Sequence, residues 1–155
     1  MKAIVVTDQA AGTAGMTLVE RPEPRAAIND VVVQVHASGF VPTELTWPST
    51  WTDRLDRDRT PSIPGHELAG VVTALGYGTK GLSVGQRVFG LTDWYRDGTL
   101  AEYAAVEAPR RFFSMALCPG SSKSRVIERL ERIDISATPM LCVEICLPRE
   151  ASDQL

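Results

Sequence analysis

Short apolar runs, rich in β-branched residues and separated by glycine and proline, recur along residues 1–108 and predict a mainly β structure. The strands predicted from this pattern are residues 2–7, 16–20, 31–37, 67–75, the second half of 84–90, and 99–106. One short helix is predicted at residues 42–47, with Pro42 near its first turn. Residues 48–61 are polar and flanked by prolines. The alternating charges of 53–59 predict a solvated loop or a short helix, and a binding role is the less favoured alternative. Strands of this length and spacing are typical of a small β-barrel or a curled sheet.

The segment 64–72 (PGHELAGVV) places a histidine and a carboxylate at the start of an apolar strand. Gly65 and Gly70 suit a tight turn or the close approach of another backbone. His66 and Glu67 would then lie at the mouth of the strand, where side chains can take part in chemistry. The same residues also fit a turn that has no chemical role and leads into a core strand, with a histidine whose role is only structural.

Composition excludes several classes of partner and of location. The chain has 155 residues, 44% of them hydrophobic and 23% charged, with a net charge of −3. No basic excess indicates nucleic-acid binding, and no apolar run approaches the roughly 20 residues of a membrane span. The first residues are too briefly apolar for a signal peptide. We therefore expect a cytoplasmic protein with no nucleic-acid or membrane partner.

The cysteines do not form a recognisable framework. Cys118, Cys142 and Cys146 are the three cysteines of the chain, and none precedes residue 118. An odd number, late in the chain, argues against a set of disulfides. Their spacing also lacks the paired short intervals of structural zinc sites.

The character of the chain changes at residues 108–109. Residues 1–108 hold 9 basic and 13 acidic side chains, whereas 109–155 hold 7 basic and 6 acidic ones. Within the second part, residues 123–133 predict an amphipathic helix and residues 139–147 an apolar strand. We therefore divide the chain into a domain of residues 1–108 and an atypical tail of residues 109–155. One hypothesis is that the tail comes from a truncated gene or a shifted reading frame.

A series of motifs runs through residues 1–108 in a characteristic order. They are residues 1–3 (MKA), 20–24 (ERPEP), 30–35 (DVVVQV), 37–39 (ASG), 64–72 (PGHELAGVV), 85–88 (GQRV) and 98–103 (GTLAEY). In this order they resemble the N-terminal, GroES-like catalytic domain of the medium-chain dehydrogenase/reductase superfamily. The resemblance implies a mainly β fold with short helices, a GroES-like partly open β-barrel.

The resemblance further implies an NAD(P)-dependent oxidoreductase that moves a hydride between nicotinamide and a carbonyl, alcohol or enone. Zinc-dependent members hold a catalytic zinc with the histidine of the GHE motif and with a cysteine two residues after the glycine that matches Gly39. Val41 occupies that cysteine position and has no donor atom, although a catalytic zinc needs about three protein ligands. The four-cysteine lobe expected after Gly90 is also missing from residues 91–96.

In these departures the chain is similar to the zinc-free branch of quinone oxidoreductases and enoyl reductases, whose members prefer NADPH. We therefore expect NADP as cofactor and no metal site. One further reading keeps a zinc at His66 and Glu67, with another ligand from elsewhere in the chain.

The resemblance also implies roles for single residues. Its catalytic candidates are Thr43 and His66, its cofactor-binding candidates are Phe40, Val41, Pro42 and Thr43, and its substrate-pocket candidates are Trp47 and Glu67. Each has a structural alternative: Thr43 as a helix-terminal hydroxyl, His66 as a scaffold residue bonded to its turn, and Glu67 as a partner of a neighbouring group. Trp47 and Trp51 fit a pocket wall or plain packing.

No complete Rossmann domain follows the motifs. Residues 109–155 contain no G-x-G-x-x-G, and 47 residues are too few for that fold. Residues 76–81 spell the motif, but no helix or ribose-binding acid completes the unit, and we interpret them as a surface loop. The predicted function is the catalytic-domain portion of an oxidoreductase for quinone, enone or alcohol/carbonyl substrates, weak or inactive alone. The alternative is a non-enzymatic GroES-like binding or interaction module. The oligomeric state stays open.

Overall fold

The computed structural model describes residues 1–108 and 112–114, which are mainly β. The strands are β1 (Lys2–Val5), β2 (Thr17–Glu20), β3 (Asp30–Gly39), β4 (Glu67–Leu75), β5 (Arg87–Leu91), β6 (Tyr103–Glu107) and β7 (Phe112–Ser114). The helices are two 3-10 turns, Gly12–Gly15 and Pro42–Thr46, and the single α-helical turn α1 (Pro48–Trp51). The predicted fold class, mainly β with short helices, is confirmed.

The described strands form two antiparallel sheets, which do not close into a complete barrel. β1 pairs with β2 alone, and the larger sheet has the order β6-β3-β4-β5-β7. Gly39 at the end of β3 lies opposite Glu67 at the start of β4. This register brings the chain that follows β3 beside the GHE turn.

The core lies in the larger sheet, where β-branched side chains fill the interior. Its most deeply buried members are Val31, Val33, Val72, Val88 and Val106, which come from four strands. Short branched side chains pack well on a pleated surface, which explains why these runs form strands. A second cluster joins Ala3 and Val5 of β1 to Ile63.

Three predicted segments differ from the observed elements. The helix predicted at residues 42–47 is a 3-10 turn that ends at Thr46, because Trp47 is extended before Pro48, as residues preceding proline prefer. Pro48 then starts α1 inside the segment predicted as a loop. The strand predicted at 99–106 begins only at Tyr103.

The chain divides into two compact units, Met1–Met115 and Ala116–Leu155. The helix predicted at 123–133, the strand predicted at 139–147 and the three cysteines fall outside the described residues. Within residues 1–108 and 112–114, no helix is long and apolar enough to cross a membrane.

Candidate functional site

The candidate site forms where three segments meet: the chain after β3, the GHE turn before β4, and the loop after β5. Phe40 is half-buried, whereas Val41, Pro42 and Thr43 are exposed. The four predicted cofactor-binding residues therefore form one continuous and largely accessible segment.

Glu44, which the sequence analysis missed, ties this segment to the GHE turn. Its side chain is only 4% exposed. Oε1 accepts a hydrogen bond from the Val41 amide at 3.1 Å, and Oε2 accepts one from the Gly65 amide at 3.0 Å. The spacing of an acid three residues after the start of a helical turn is that of a capping box, and could have indicated the first bond.

His66 is the buried centre of the site, with 5% of its surface exposed. Its Nδ1 lies 3.2 Å from the hydroxyl of Thr92, in the loop after β5, and not in hydrogen-bond contact with its own turn as anticipated. Its Nε2 lies 3.8 Å from Oε2 of Glu44 and has no hydrogen-bond partner in the described part of the chain.

The environment shifts the pKa values of both buried groups. Burial, assisted by the positive charge of Arg59, lowers the pKa of His66 to about 4, and Asp93 opposes this only weakly. Burial raises the pKa of Glu44 above its usual value, and the amides of Val41 and Gly65 oppose the rise. His66 is therefore a neutral imidazole at pH 7.

Two tryptophans cover the imidazole. The rings of Trp47 and Trp94 stack with centroids 4.8 Å apart and planes at 21°. The His66 ring lies 6.1 Å from Trp47 and 6.2 Å from Trp94. Trp47 was predicted to line a pocket. Trp94 was not predicted, because its segment, residues 91–96, was interpreted only for its lack of cysteine. Trp51 is turned elsewhere and donates its Nε1 hydrogen to the carbonyl of Leu45.

Glu67 and Thr43 have less constrained side chains. Glu67 is half-buried, and its carboxylate occupies the space that a side chain at Gly39 would need. The acid found beside the imidazole is Glu44 and not Glu67. The carbonyl of Thr43 accepts a hydrogen bond from the Thr46 hydroxyl at 2.7 Å. Within the described residues the hydroxyl of Thr43 itself makes no hydrogen bond.

The donor atoms at this site do not fit a catalytic zinc. Val41 supplies none where zinc-dependent relatives have a thiolate, and both oxygens of Glu44 are engaged by backbone amides. Residues 1–108 and 112–114 contain no group of three His, Cys, Asp or Glu side chains placed to hold a metal. We therefore assign no catalytic step at this site to zinc.

Comparison with known proteins supports the family suggested by the motifs. The model of the alcohol dehydrogenase GroES-like domain matches residues 27–116, more than half of the chain. An L-threonine 3-dehydrogenase of Saccharopolyspora erythraea is 40% identical over 91 residues, which cover 58% of this chain and 25% of the relative. The trans-enoyl reductase pgmF of Aspergillus terreus is 40% identical over 118 residues, 69% of this chain and 31% of that protein.

A solved structure shows the same fold. The alcohol dehydrogenase superfamily protein from Novosphingobium aromaticivorans superposes with a TM-score of 0.60 at 33% identity, covering 74% of this chain and 34% of that one. The chain thus spans between a quarter and a third of the length of the relatives described here. The chain belongs to the alcohol dehydrogenase GroES-like domain family, in the medium-chain dehydrogenase/reductase type of oxidoreductases.

Proposed function

We propose that residues 1–108 supply the catalytic half of an NADP-dependent, zinc-independent oxidoreductase that reduces quinones or activated double bonds. The observation that carries the proposal is His66, buried and neutral between Thr92 and Glu44, with Val41 where a thiolate would stand. This arrangement keeps the architecture of the site and lacks the donors that a metal needs.

In this proposal, Phe40, Val41, Pro42 and Thr43 hold the nicotinamide ring. The segment is accessible, and Val41, an apolar residue that is 47% exposed, offers a surface for a flat ring. Bound NADPH supplies the hydride. Glu44 fixes the position of this segment through the Val41 amide, so the ring is held against a braced backbone.

Thr43 is the proposed relay of a proton from solvent to the substrate oxygen, and its hydroxyl takes up a proton from water as it gives one up. Its side chain is exposed, next to the proposed cofactor segment, and its hydroxyl makes no other hydrogen bond in the described residues. His66 is a weaker candidate for this step, because it is buried and, with a pKa of about 4, is a neutral imidazole and not an imidazolium at pH 7. We therefore give His66 a positioning role, with Trp47 and Glu67 lining the substrate side.

The chain alone is expected to turn over slowly, because it spans only 25% and 31% of the length of the two curated relatives described above. Among the relatives, the trans-enoyl reductase acts, by its name, on a trans-enoyl group, which contains a carbon–carbon double bond and agrees with the substrate class proposed here. We expect a cytoplasmic location and a small-molecule substrate, as the sequence suggests.

The proposal is tested by titrating NADPH into the chain, following its fluorescence, and then adding a quinone or an enone. We expect a Kd below about 1 mM and slow oxidation of NADPH. Thr43→Val should reduce turnover at least about tenfold with little change in NADPH affinity, as loss of a proton donor predicts. Thr43→Ser should restore it, and Thr17→Val on the exposed face of β2 serves as a matched control.

The alternative is a GroES-like module that binds a partner without catalysis. Absence of NADPH binding at millimolar concentration, in a chain that is folded by circular dichroism, would favour this module over the enzyme. Stoichiometric zinc in elemental analysis of the purified chain would instead contradict the zinc-independent mechanism.

A further inference from the structure

We propose that Arg54, Trp94 and Tyr95 form a subsite for a flat aromatic ring that carries an acceptor oxygen. The inference goes beyond the proposed function, because this ligand binds beside the candidate active site and is not the group that reacts at Thr43. The subsite stands on observations separate from those that carry the proposed function.

The first observation is a cavity of about 320 Å³ lined by Arg54, Asp93, Trp94 and Tyr95. This volume lies at the lower end of the roughly 300–1,000 Å³ typical of small-molecule sites. A one- or two-ring compound fits such a space, whereas a whole dinucleotide does not.

The second observation is the aromatic surface left open there. Trp94 is 39% exposed and Tyr95 is 40% exposed, although both are large apolar rings in consecutive positions. Adjacent exposed aromatic side chains at a cavity mark a ligand site, because stacking against a bound ring removes their surface from water.

The third observation is a guanidinium held in place at the rim. Arg54 donates from Nη2 to Oδ2 of Asp93, and its guanidinium carbon lies 5.0 Å from the centre of the Tyr95 ring. Asp93 is buried and also accepts the Tyr95 amide at 3.0 Å. The arginine is therefore oriented by two contacts, while its side chain stays 65% exposed.

This orientation leaves hydrogen-bonding capacity for a ligand. A guanidinium has five N–H donors in a rigid fork, and one of those of Arg54 is directed to Asp93. The remaining donors can bind a carbonyl, phenolate or carboxylate oxygen. A ligand whose aromatic ring stacks on Trp94 and Tyr95 and whose oxygen binds Arg54 uses both parts of the cavity at once.

The cavity is connected to the candidate active site through one side chain. Trp94 lines the cavity and also stacks on Trp47, whose ring lies 6.1 Å from that of His66. A ring bound against Trp94 is therefore separated from His66 by indole, too far from the candidate site to take part in hydride transfer there. The subsite adjoins the candidate active site without being part of it.

The test uses 2-naphthoate as the probe, because it has an aromatic ring and a carboxylate and does not react with thiols. Its binding to the full chain is measured by calorimetry without NADPH. Cyclohexanecarboxylate has the same charge without the aromatic ring, and 2-naphthamide has the ring without the charge. We expect 2-naphthoate to bind at least about tenfold more tightly than cyclohexanecarboxylate and more tightly than 2-naphthamide.

Variants locate the binding. Trp94→Leu and Arg54→Gln should each weaken 2-naphthoate at least about fivefold, whereas Trp94→Phe and Arg54→Lys should retain most of the affinity. Arg57→Gln removes a charge from the same loop outside the cavity and should change nothing. Equal affinity of the wild type and Trp94→Leu, or equal affinity for the aromatic and the aliphatic acid, overturns the subsite.

The outcomes separate this inference from the proposed function. If 2-naphthoate binds as expected and NADPH does not bind, the subsite stands and the oxidoreductase proposal fails. If NADPH binds and is oxidised by an enone, but 2-naphthoate binds no better than cyclohexanecarboxylate, the reverse holds.

Discussion

His66 and Glu44 lie 3.8 Å apart, both almost completely buried, without a hydrogen bond to each other. The reason lies in the other contacts of the carboxylate, whose two oxygens accept the amides of Val41 and Gly65. Glu44 therefore joins two segments of backbone, and His66 is held by Thr92 from its other side. The candidate site is braced by these two contacts independently of any metal.

The burial of His66 predicts a dependence of stability on pH. Its folded pKa of about 4 lies below the ordinary value of 6.5, so the unfolded chain binds more protons between these values. Its contribution to the free energy of unfolding should therefore rise as pH increases from about 4 to 6.5, by at most roughly 3 kcal/mol. Urea unfolding of wild type and His66→Gln at pH 4.5 and 7 measures the difference.

The other histidine of the chain gives the control for this experiment. His36 is exposed on β3, so His36→Gln should keep the pH dependence of the wild type. The assignment to His66 is wrong if His66→Gln and His36→Gln show the same change of unfolding free energy between the two pH values.

A buried ion pair holds the loop after β5 against the start of β3. Arg96 donates to both oxygens of Asp30, at 3.0 and 2.6 Å, and Asp30 is 2% exposed. Arg96→Gln should cost about 3 kcal/mol of unfolding free energy, because it leaves a buried carboxylate without its partner. The double variant Asp30→Asn/Arg96→Gln should recover part of this loss.

The exposed pair of Arg57 and Asp53 is the matched comparison for that ion pair. Arg57→Gln should cost less than about 1 kcal/mol, because its charges stay in water. Chemical denaturation of the wild type and the three variants checks both values, and similar costs for Arg57→Gln and Arg96→Gln would argue against a special role for burial.

Two strand glycines should respond differently to the same substitution. A methyl group at Gly70 would overlap the backbone carbonyl of Gln34 on the paired strand, which cannot move alone. At Gly39 the overlapping atoms belong to the side chain of Glu67, which can turn away. Gly70→Ala should therefore destabilise the chain by about 2 kcal/mol or more, and Gly39→Ala by less. A larger loss of melting temperature in Gly39→Ala would contradict this ordering.

The stacking of Trp47 on Trp94 has a spectroscopic consequence. Two indoles 4.8 Å apart and nearly parallel couple their transitions, so the chain should show an exciton couplet in far-ultraviolet circular dichroism. Trp47→Phe and Trp94→Phe should each abolish it. Trp51→Phe should not, since that indole bonds to the Leu45 carbonyl instead. A couplet that survives Trp94→Phe shows that the two rings do not stack in solution.

Most strands could be predicted because their signal is local. The β-branched run at Val31, Val32 and Val33 and the apolar run 67–75 indicate strands wherever they occur, and β4 has the predicted bounds. The start of β6 was not predictable in the same way. Thr99 is fully buried outside the strand, and its hydroxyl bonds to Ser38 and to the carbonyl of Glu67, contacts with residues more than 30 positions away.

The same difference between local signals and distant contacts applies to the candidate site. The motif order of residues 1–108 determined the family, and it pointed to His66 and to the segment 40–43 as parts of the site. Only the tertiary structure decided that Glu44, Thr92 and Trp94 surround His66, and that Arg54 lies over Tyr95. Apolar periodicity is a property of residues that are neighbours in the sequence. Hydrogen bonds and ring stacking depend instead on which distant loops the sheet brings together. The neutral state of His66 follows from that burial, and no pattern around residue 66 encodes it.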